Sequence, residues 1–241
     1  METTRDLSQL LNVSEGIANY LINFSTRHSY IYVETPKVAC STIKSILQLA
    51  EVGGDSSRLC DDVHDRARSP IPDVRNHAED FWRLLGDPAT FRFSFVRNPF
   101  SRSLSCYLDK FVQDESMHAR YYPMLGFPMN RKPTFRDFLR AIKDQPVVEH
   151  DTHWAPQTHL LCPVRMRYSF IGRFEFLELE LAKLKGRLGL LHSSSSFLAP
   201  HATSADQRLR DFYGREEIGL VQSIYEDDFR TFGYGWSPDI L

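Results

Sequence analysis

The sequence predicts a three-layer α/β fold, with a central, mainly parallel sheet flanked by helices, over a single domain covering residues 1–241. Two observations predict it. Strand-like runs at 29–34 (SYIYVE), 91–97 (FRFSFVR) and 168–172 (YSFIG) are each followed by helical spacing, and strands alternating with helices imply crossover connections and parallel pairing. The first two runs also end in short basic turns that lead straight into a helix, the arrangement that aims helix N-terminal amides at an anion.

Residues 7–24 read as a helix, with Leu7, Leu10, Leu11, Ile17, Leu21 and Ile22 at its apolar positions. The run at 29–34 is β-branched and aromatic and suits a buried strand. Thr35-Pro36-Lys37 breaks it, and Ile43, Ile46, Leu47 and Ala50 mark the next helix. Residues 53–75 read as an irregular loop, and 77–85 as a short helix. After the strand at 91–97, Asn98 is an expected N-cap and Pro99 an expected first helical residue, with the helix running through Leu104, Tyr107, Leu108 and Phe111. Residues 114–133, rich in Met, Tyr, Pro and Arg, read as an insertion or mobile loop before a helix at 134–144. Leu177, Leu181 and Leu184 follow the last strand as a helix, 193–196 is a polar loop, and helices are expected near 205–212 and 215–230.

Composition narrows the function classes. The chain carries 29 basic and 31 acidic residues for a net charge of -2, so no global field draws it to nucleic acid or an anionic membrane. No window approaches the ~18 apolar residues of a membrane span, and the acidic start lacks a signal core. A cytoplasmic location is the expectation. Cys40, Cys60, Cys106 and Cys162 form no close pair, so a zinc site is not expected and free thiols are. Anion binding must come from a local cluster.

Two clusters qualify. In Pro36-Lys37-Val38-Ala39-Cys40-Ser41-Thr42-Ile43-Lys44, a strand end delivers a lysine, small residues let the backbone curl, and hydroxyls open a helix. Amides and the helix dipole supply diffuse positive potential there, and lysine a point charge. This is not the glycine-rich Walker loop, which requires GxxxxGK[ST]. In Arg97-Asn98-Pro99-Phe100-Ser101-Arg102-Ser103-Leu104-Ser105, an arginine offers forked donors, and Ser101 and Ser105 share a helical face. Each taken alone is also explained as an ordinary strand–helix connection. Together they fit a ligand with two separated phosphates.

Four segments then carry a resemblance. PKVACSTIK is similar to the 5′-phosphosulfate loop PKVGCTNWK of the carbohydrate sulfotransferases. VRNPFSRSLSCYLDKF resembles their 3′-phosphate segment VRDPFERLVSAYRDKF, HWAPQTHLLCPVRMRYSFIGRFE resembles HWxPQxxLCxPCxxxYDFIGKYE of the chondroitin-type enzymes, and YEDDFRTFGY resembles YxxDFxxFGY. Departures are Ala39 for the loop glycine, Asn98 for the acidic residue, and Arg165 for a second cysteine. The lack of an anchor helix suggests a soluble, bacterial form.

The resemblance implies a P-loop-like fold and transfer of the sulfuryl group of 3′-phosphoadenylyl sulfate (PAPS) to an acceptor hydroxyl, here on a carbohydrate. It places the catalytic lysine at Lys37. Ala39, Cys40, Ser41, Thr42 and Lys44 would hold the 5′-phosphate, and Arg97 and Ser105 the 3′-phosphate. Arg173, from its place after the strand 168–172, either adds to the nucleotide site or pairs with Glu175 or a neighbour. The base is His77 or His153, since imidazole accepts a hydroxyl proton near neutrality. No metal is expected. Arg120, Arg131, Lys132, Arg136 and Arg140, with Tyr121, Tyr122 and Phe127, suit an acidic glycan, or else form a solvated basic face. Lipid, phenolic and small-metabolite acceptors stay open, as do a nucleotide phosphotransferase and a non-catalytic nucleotide-binding module.

Overall fold

A computed structural model describes residues 6–190 and 205–238, and the polar stretch 193–196 lies outside these. The chain divides into two compact units, Met1–Val96 with Leu161–Pro200, and Arg97–Leu160 with His201–Leu241.

The first unit opens with a correction. The helix expected over 7–24 is two short ones, α1 (Leu7–Leu10) and α2 (Glu15–Leu21), followed by a strand, β1 (Ile22–Ser25). Asp6 and Ser14 each accept a backbone N–H as N-caps, so the second cap begins a new helix where a continuous one was expected. Ile22–Ser25 leave the helix because β2 (Tyr30–Val33) offers them a ladder, antiparallel from Ile22 with Val33 to Ser25 with Tyr30. Tertiary pairing overrides the helical period here. Next come α3 (Cys40–Glu51), α4 (Ala78–Gly86) and β3 (Phe91–Val96). Residues 53–75 form the expected irregular stretch, apart from a single 3-10 turn at Ser56–Arg58.

The chain then enters the second unit with α5 (Pro99–Tyr107), capped by Asn98 and with Pro99 at its start, as the sequence predicts. It continues through a π-helical stretch, Leu108–Gln113, into α6 (His118–Met124), α7 (Phe135–Asp144) and α8 (Gln157–Leu161). Back in the first unit are α9 (Pro163–Met166), β4 (Phe170–Arg173) and α10 (Leu177–Arg187). The last helices, α11 (Leu209–Phe212), α12 (Arg215–Ile224) and α13 (Glu226–Phe232), belong to the second unit, and a break at Tyr225 divides the helix expected over 215–230.

The four strands lie in the order β1-β2-β3-β4, with β2, β3 and β4 parallel. This is the mainly parallel sheet that the alternation of elements predicts. Its register assigns the faces. Tyr30, Tyr32, Phe93 and Phe95 share one face and pack with Ile43, Ile46 and Leu47 of α3 and Leu184 of α10. Phe24, on the other face, meets Phe81 of α4 edge-on at 5.7 Å. Helices therefore cover both faces, as a parallel sheet requires. Gly172 of β4 lies under the Phe95 ring, where a Cβ would come within 2.5 Å of Cε1. A side chain at Gly172 would displace a core aromatic.

The second unit is helical and aromatic. Tyr107, Phe111, Phe138 and Trp154 form a continuous ring cluster, with Trp154 fully buried. The stretch 114–133 is not simply a loop: α6 runs through it and buries Tyr121 and Tyr122. Phe111 stacks on Tyr122 at 5.8 Å, and such aromatic packing gives a Pro- and Met-rich segment its order.

Candidate functional site

In the first unit the turn from β2 to α3 is built around Val38. This residue is fully buried in the sheet core, while Lys37 and Ala39 on either side adopt left-handed backbone, at φ 70° and 54°. An L-residue with a Cβ meets steric resistance there. Ala39 is the residue entering α3, and no side chain caps that helix. Helix N-terminal amides carry partial positive charge that favours an anion. Cys40 and Ser41 are half-buried and Thr42 is buried. Burial, with the nearby Glu34 carboxylate, pushes the Cys40 thiol up to about 11, so it is no nucleophile at neutral pH.

Lys44 lies inside the molecule. It is 1% exposed, forms a buried ion pair with Glu34, and sits 4.6 Å over the Tyr20 ring. One residue of this group was not marked by the motifs. His64, in the stretch read as an irregular loop, places Nε2 2.8 Å from Ser41 Oγ and Nδ1 3.4 Å from both Lys44 Nζ and the Tyr20 hydroxyl. A lone histidine among Asp61, Asp62 and Asp65 has no periodicity to reveal it, and its local acidity was the only available signal. Glu34 was missed because it reads as the end of a strand.

Arg173 ends β4 opposite Val96. The parallel register therefore puts it on the same sheet edge as the end of β2, the edge where open α/β sheets take ligands. His77 precedes α4 as an exposed N-cap residue whose side chain makes no capping bond.

In the second unit Arg97 is 4% exposed and firmly held. Its Nε donates to Ser101 Oγ at 2.9 Å, and its NH2 group to Asp206 at 2.8 Å. Gln157 clasps its backbone from both sides, accepting from Arg97 N at 2.9 Å and donating to Arg97 O at 2.8 Å. Asp228 in turn accepts from the Gln157 and Thr158 amides, each at 2.8 Å. Burial raises the Asp228 carboxyl above the usual range, and these amides and Arg102 partly offset it. Asp228 thus caps α8. The HWAPQ and YEDDF segments are therefore parts of one hydrogen-bonded frame around Arg97. Ser105 is buried, as is every residue of α5.

His153 has an orienting partner. Its Nδ1 lies 2.6 Å from Asp151 Oδ1. Burial alone would raise the Asp151 carboxyl, but the hydrogen bonds and charge of His153, with Arg120, hold it below its usual value. An ionised carboxylate on Nδ1 leaves Nε2 as the basic nitrogen.

The supposed glycan cluster is largely internally paired. Arg136 contacts Glu217 and Glu216, Arg140 pairs with Glu216, Arg131 with Asp137, and Arg120 lies 3.7 Å from Asp151. Tyr121 and Tyr122 are buried, so neither presents a ring face for sugar stacking. Acidic residues distant in sequence neutralise what the local sequence presented as a basic stripe.

Among the described residues, no group of three or more His, Cys, Asp or Glu could hold a metal, and no helix is long and apolar enough to cross a membrane. The four cysteines are free thiols, as expected.

A family model described as a sulfotransferase family matches residues 20–235. The chain belongs to the sulfotransferase family. Carbohydrate sulfotransferase 12 of Mus musculus is 27% identical, over 94% of this chain and 64% of its own length. Carbohydrate sulfotransferase 10 of Homo sapiens is 26% identical, over 89% and 67%. Carbohydrate sulfotransferase 14 of Mus musculus reaches 32%, over 64% and 43%. The chain thus spans about two thirds of the first two relatives. No solved structure matches it significantly. Within the sulfotransferase family frame, the parallel β2–β3–β4 core with a basic turn after β2 is the P-loop-like fold that the sequence predicts.

Proposed function

We propose that this chain transfers the sulfuryl group of PAPS to a hydroxyl of a carbohydrate acceptor. The observation that carries the reading is the β2–α3 turn: a lysine in left-handed backbone, two residues before an N-cap alanine whose side chain makes no capping bond. Helix N-terminal amides and a lysine suit the 5′-phosphosulfate group, and the names of the relatives support a carbohydrate acceptor.

In this reading the acceptor oxygen attacks sulfur, an O–S bond forms, and the bond from sulfur to the bridging phosphate oxygen breaks. The acceptor proton passes to histidine. His153, oriented by Asp151, is the better-prepared base, with His77 its rival. Lys37 neutralises the charge that builds on the leaving oxygen, and α3 amides with Cys40, Ser41 and Thr42 hold the 5′-phosphate in place. Lys44, locked on Glu34, supports this turn from beneath. Arg97 and Ser105 hold the 3′-phosphate, and Arg173 adds positive potential at the sheet edge. These side chains do the neutralising without a metal.

Calorimetry with PAP, the desulfated product, in the absence of metal tests the nucleotide reading, beside ATP with Mg²⁺. Micromolar PAP binding supports it. Mg²⁺-dependent ATP binding without PAP binding sinks it in favour of a phosphotransferase. Labelled PAPS with candidate acceptors then tests the transfer itself.

A further inference from the structure

His64 is fixed to α3 before it touches anything functional. Its N–H donates to Asp62 Oδ1 at 2.8 Å, and the carbonyl of its buried neighbour Val63 accepts from Gln48 Nε2 of α3 at 3.0 Å. The imidazole is thereby delivered to the first turn of α3, within reach of Ser41, Lys44 and Tyr20.

The proton inventory of these partners assigns the tautomer. An ammonium carries protons and no lone pair, so in its contact with Lys44 Nζ the imidazole Nδ1 must be the acceptor. The ring proton then sits on Nε2 and is donated to Ser41 Oγ. Lys44 cannot swing away to relax this choice, because Glu34 pairs with it in the interior. A serine hydroxyl that accepts from an imidazole has its own hydrogen to give elsewhere. Ser41 is the second residue of α3, where a hydroxyl hydrogen and the helix amides can serve the same anion.

We infer that His64 is a positioning residue that holds Ser41 as an oriented hydrogen-bond donor for the 5′-phosphate of the bound nucleotide. It acts through Ser41 and does not itself touch the ligand. This rests on the reading of the β2–α3 turn as the nucleotide site.

The test compares two probes, PAP and adenosine 3′-phosphate, which lacks the 5′-phosphate. Calorimetry is run on the wild type, His64→Ala, His64→Gln, Ser41→Ala and the His64→Ala/Ser41→Ala pair. His64→Ala weakens PAP about tenfold, the size of one hydrogen bond to a charged group, and leaves adenosine 3′-phosphate unchanged. His64→Gln, whose amide can donate from near the Nε2 position, restores most of the PAP affinity. His64→Ala costs nothing further once Ser41 is alanine. Equal losses for both probes, or additive losses in the pair, would mean a merely structural histidine and overturn the inference. Unchanged PAP binding in His64→Ala overturns it while leaving the nucleotide reading intact. A wild-type protein that binds neither probe overturns that reading and this inference with it.

Discussion

The turn from β2 into α3 and the turn from β3 into α5 look alike in sequence, each a basic residue after a strand and before a helix. Their structures differ in how the helix begins. At α5, Asn98 Oδ1 accepts from the Phe100 amide at 2.9 Å, and Pro99 removes a donor that would otherwise need a partner. At α3, Ala39 stands in left-handed backbone and no side chain caps the helix. The basic residues differ as well. Arg97 is buried and held by Ser101, Asp206 and a Gln157 clasp, whereas Lys37 is half-buried. One turn is internally satisfied and rigid before any ligand arrives. The other holds two non-glycine residues, Lys37 and Ala39, in left-handed backbone, and such strain commonly marks function.

Five substitutions or conditions test that contrast and the unit around it. Lys37→Ala has the largest expected effect, a fall of about 10²- to 10³-fold in turnover of labelled PAPS, with a smaller loss in PAP affinity. Near-normal turnover would remove Lys37 from the chemistry. Arg97→Ala comes next, weakening PAP by about 10- to 100-fold in calorimetry, because a buried charge-assisted donor is lost. If PAP binds as before, the satisfied turn is purely structural.

The two helix starts should then respond to mutation with opposite signs. Asn98→Ala removes a cap and should cost about 1 kcal/mol of stability, or ~2–4 °C in Tm. Ala39→Gly relieves left-handed strain and should gain up to about 1 kcal/mol. Matching signs in thermal melts would erase the distinction between the two helix starts.

The smallest effect is on acid stability in the second unit. Burial alone would raise Glu217, but the hydrogen bond from Arg136, helped by the Gly214 amide, holds its carboxyl below the usual 4.5. A depressed folded value means the stabilisation is present above pH 4.5 and is lost as pH falls through the folded value. Melts at pH 6 and pH 4 should therefore show a steeper acid loss in the wild type than in Glu217→Gln. Equal slopes would show that the Arg136–Glu217 clasp adds no stability.

Much of the architecture and the two turns were legible from sequence alone. Tyr30–Val33 and Phe91–Val96 are short, β-rich and bounded by breakers, and the Asn98-Pro99 pair signals its own helix. These depend on local sterics, hydrogen bonding and periodicity, which neighbours in sequence determine. β1 was not legible, because Ile22–Ser25 continue an apolar pattern that suits a helix until β2 offers a ladder. Nor was the order within 114–133, where Tyr121 and Tyr122 find their packing on Phe111 and Trp154.

The site divides along the same line. The sequence by itself determined the parallel α/β core, the basic turn at Lys37, the capped turn at Arg97 and the family to which they belong. Only the tertiary structure decided that Lys44 is committed to Glu34, that Gln157 and Asp228 frame Arg97, that the arginines of 120–140 are paired with acids, and that His64 reaches Ser41. The reason is range. A cap or a strand is specified by residues a few positions apart, whereas the state of a charge is set by whatever the fold brings within about 4 Å of it, however distant in sequence.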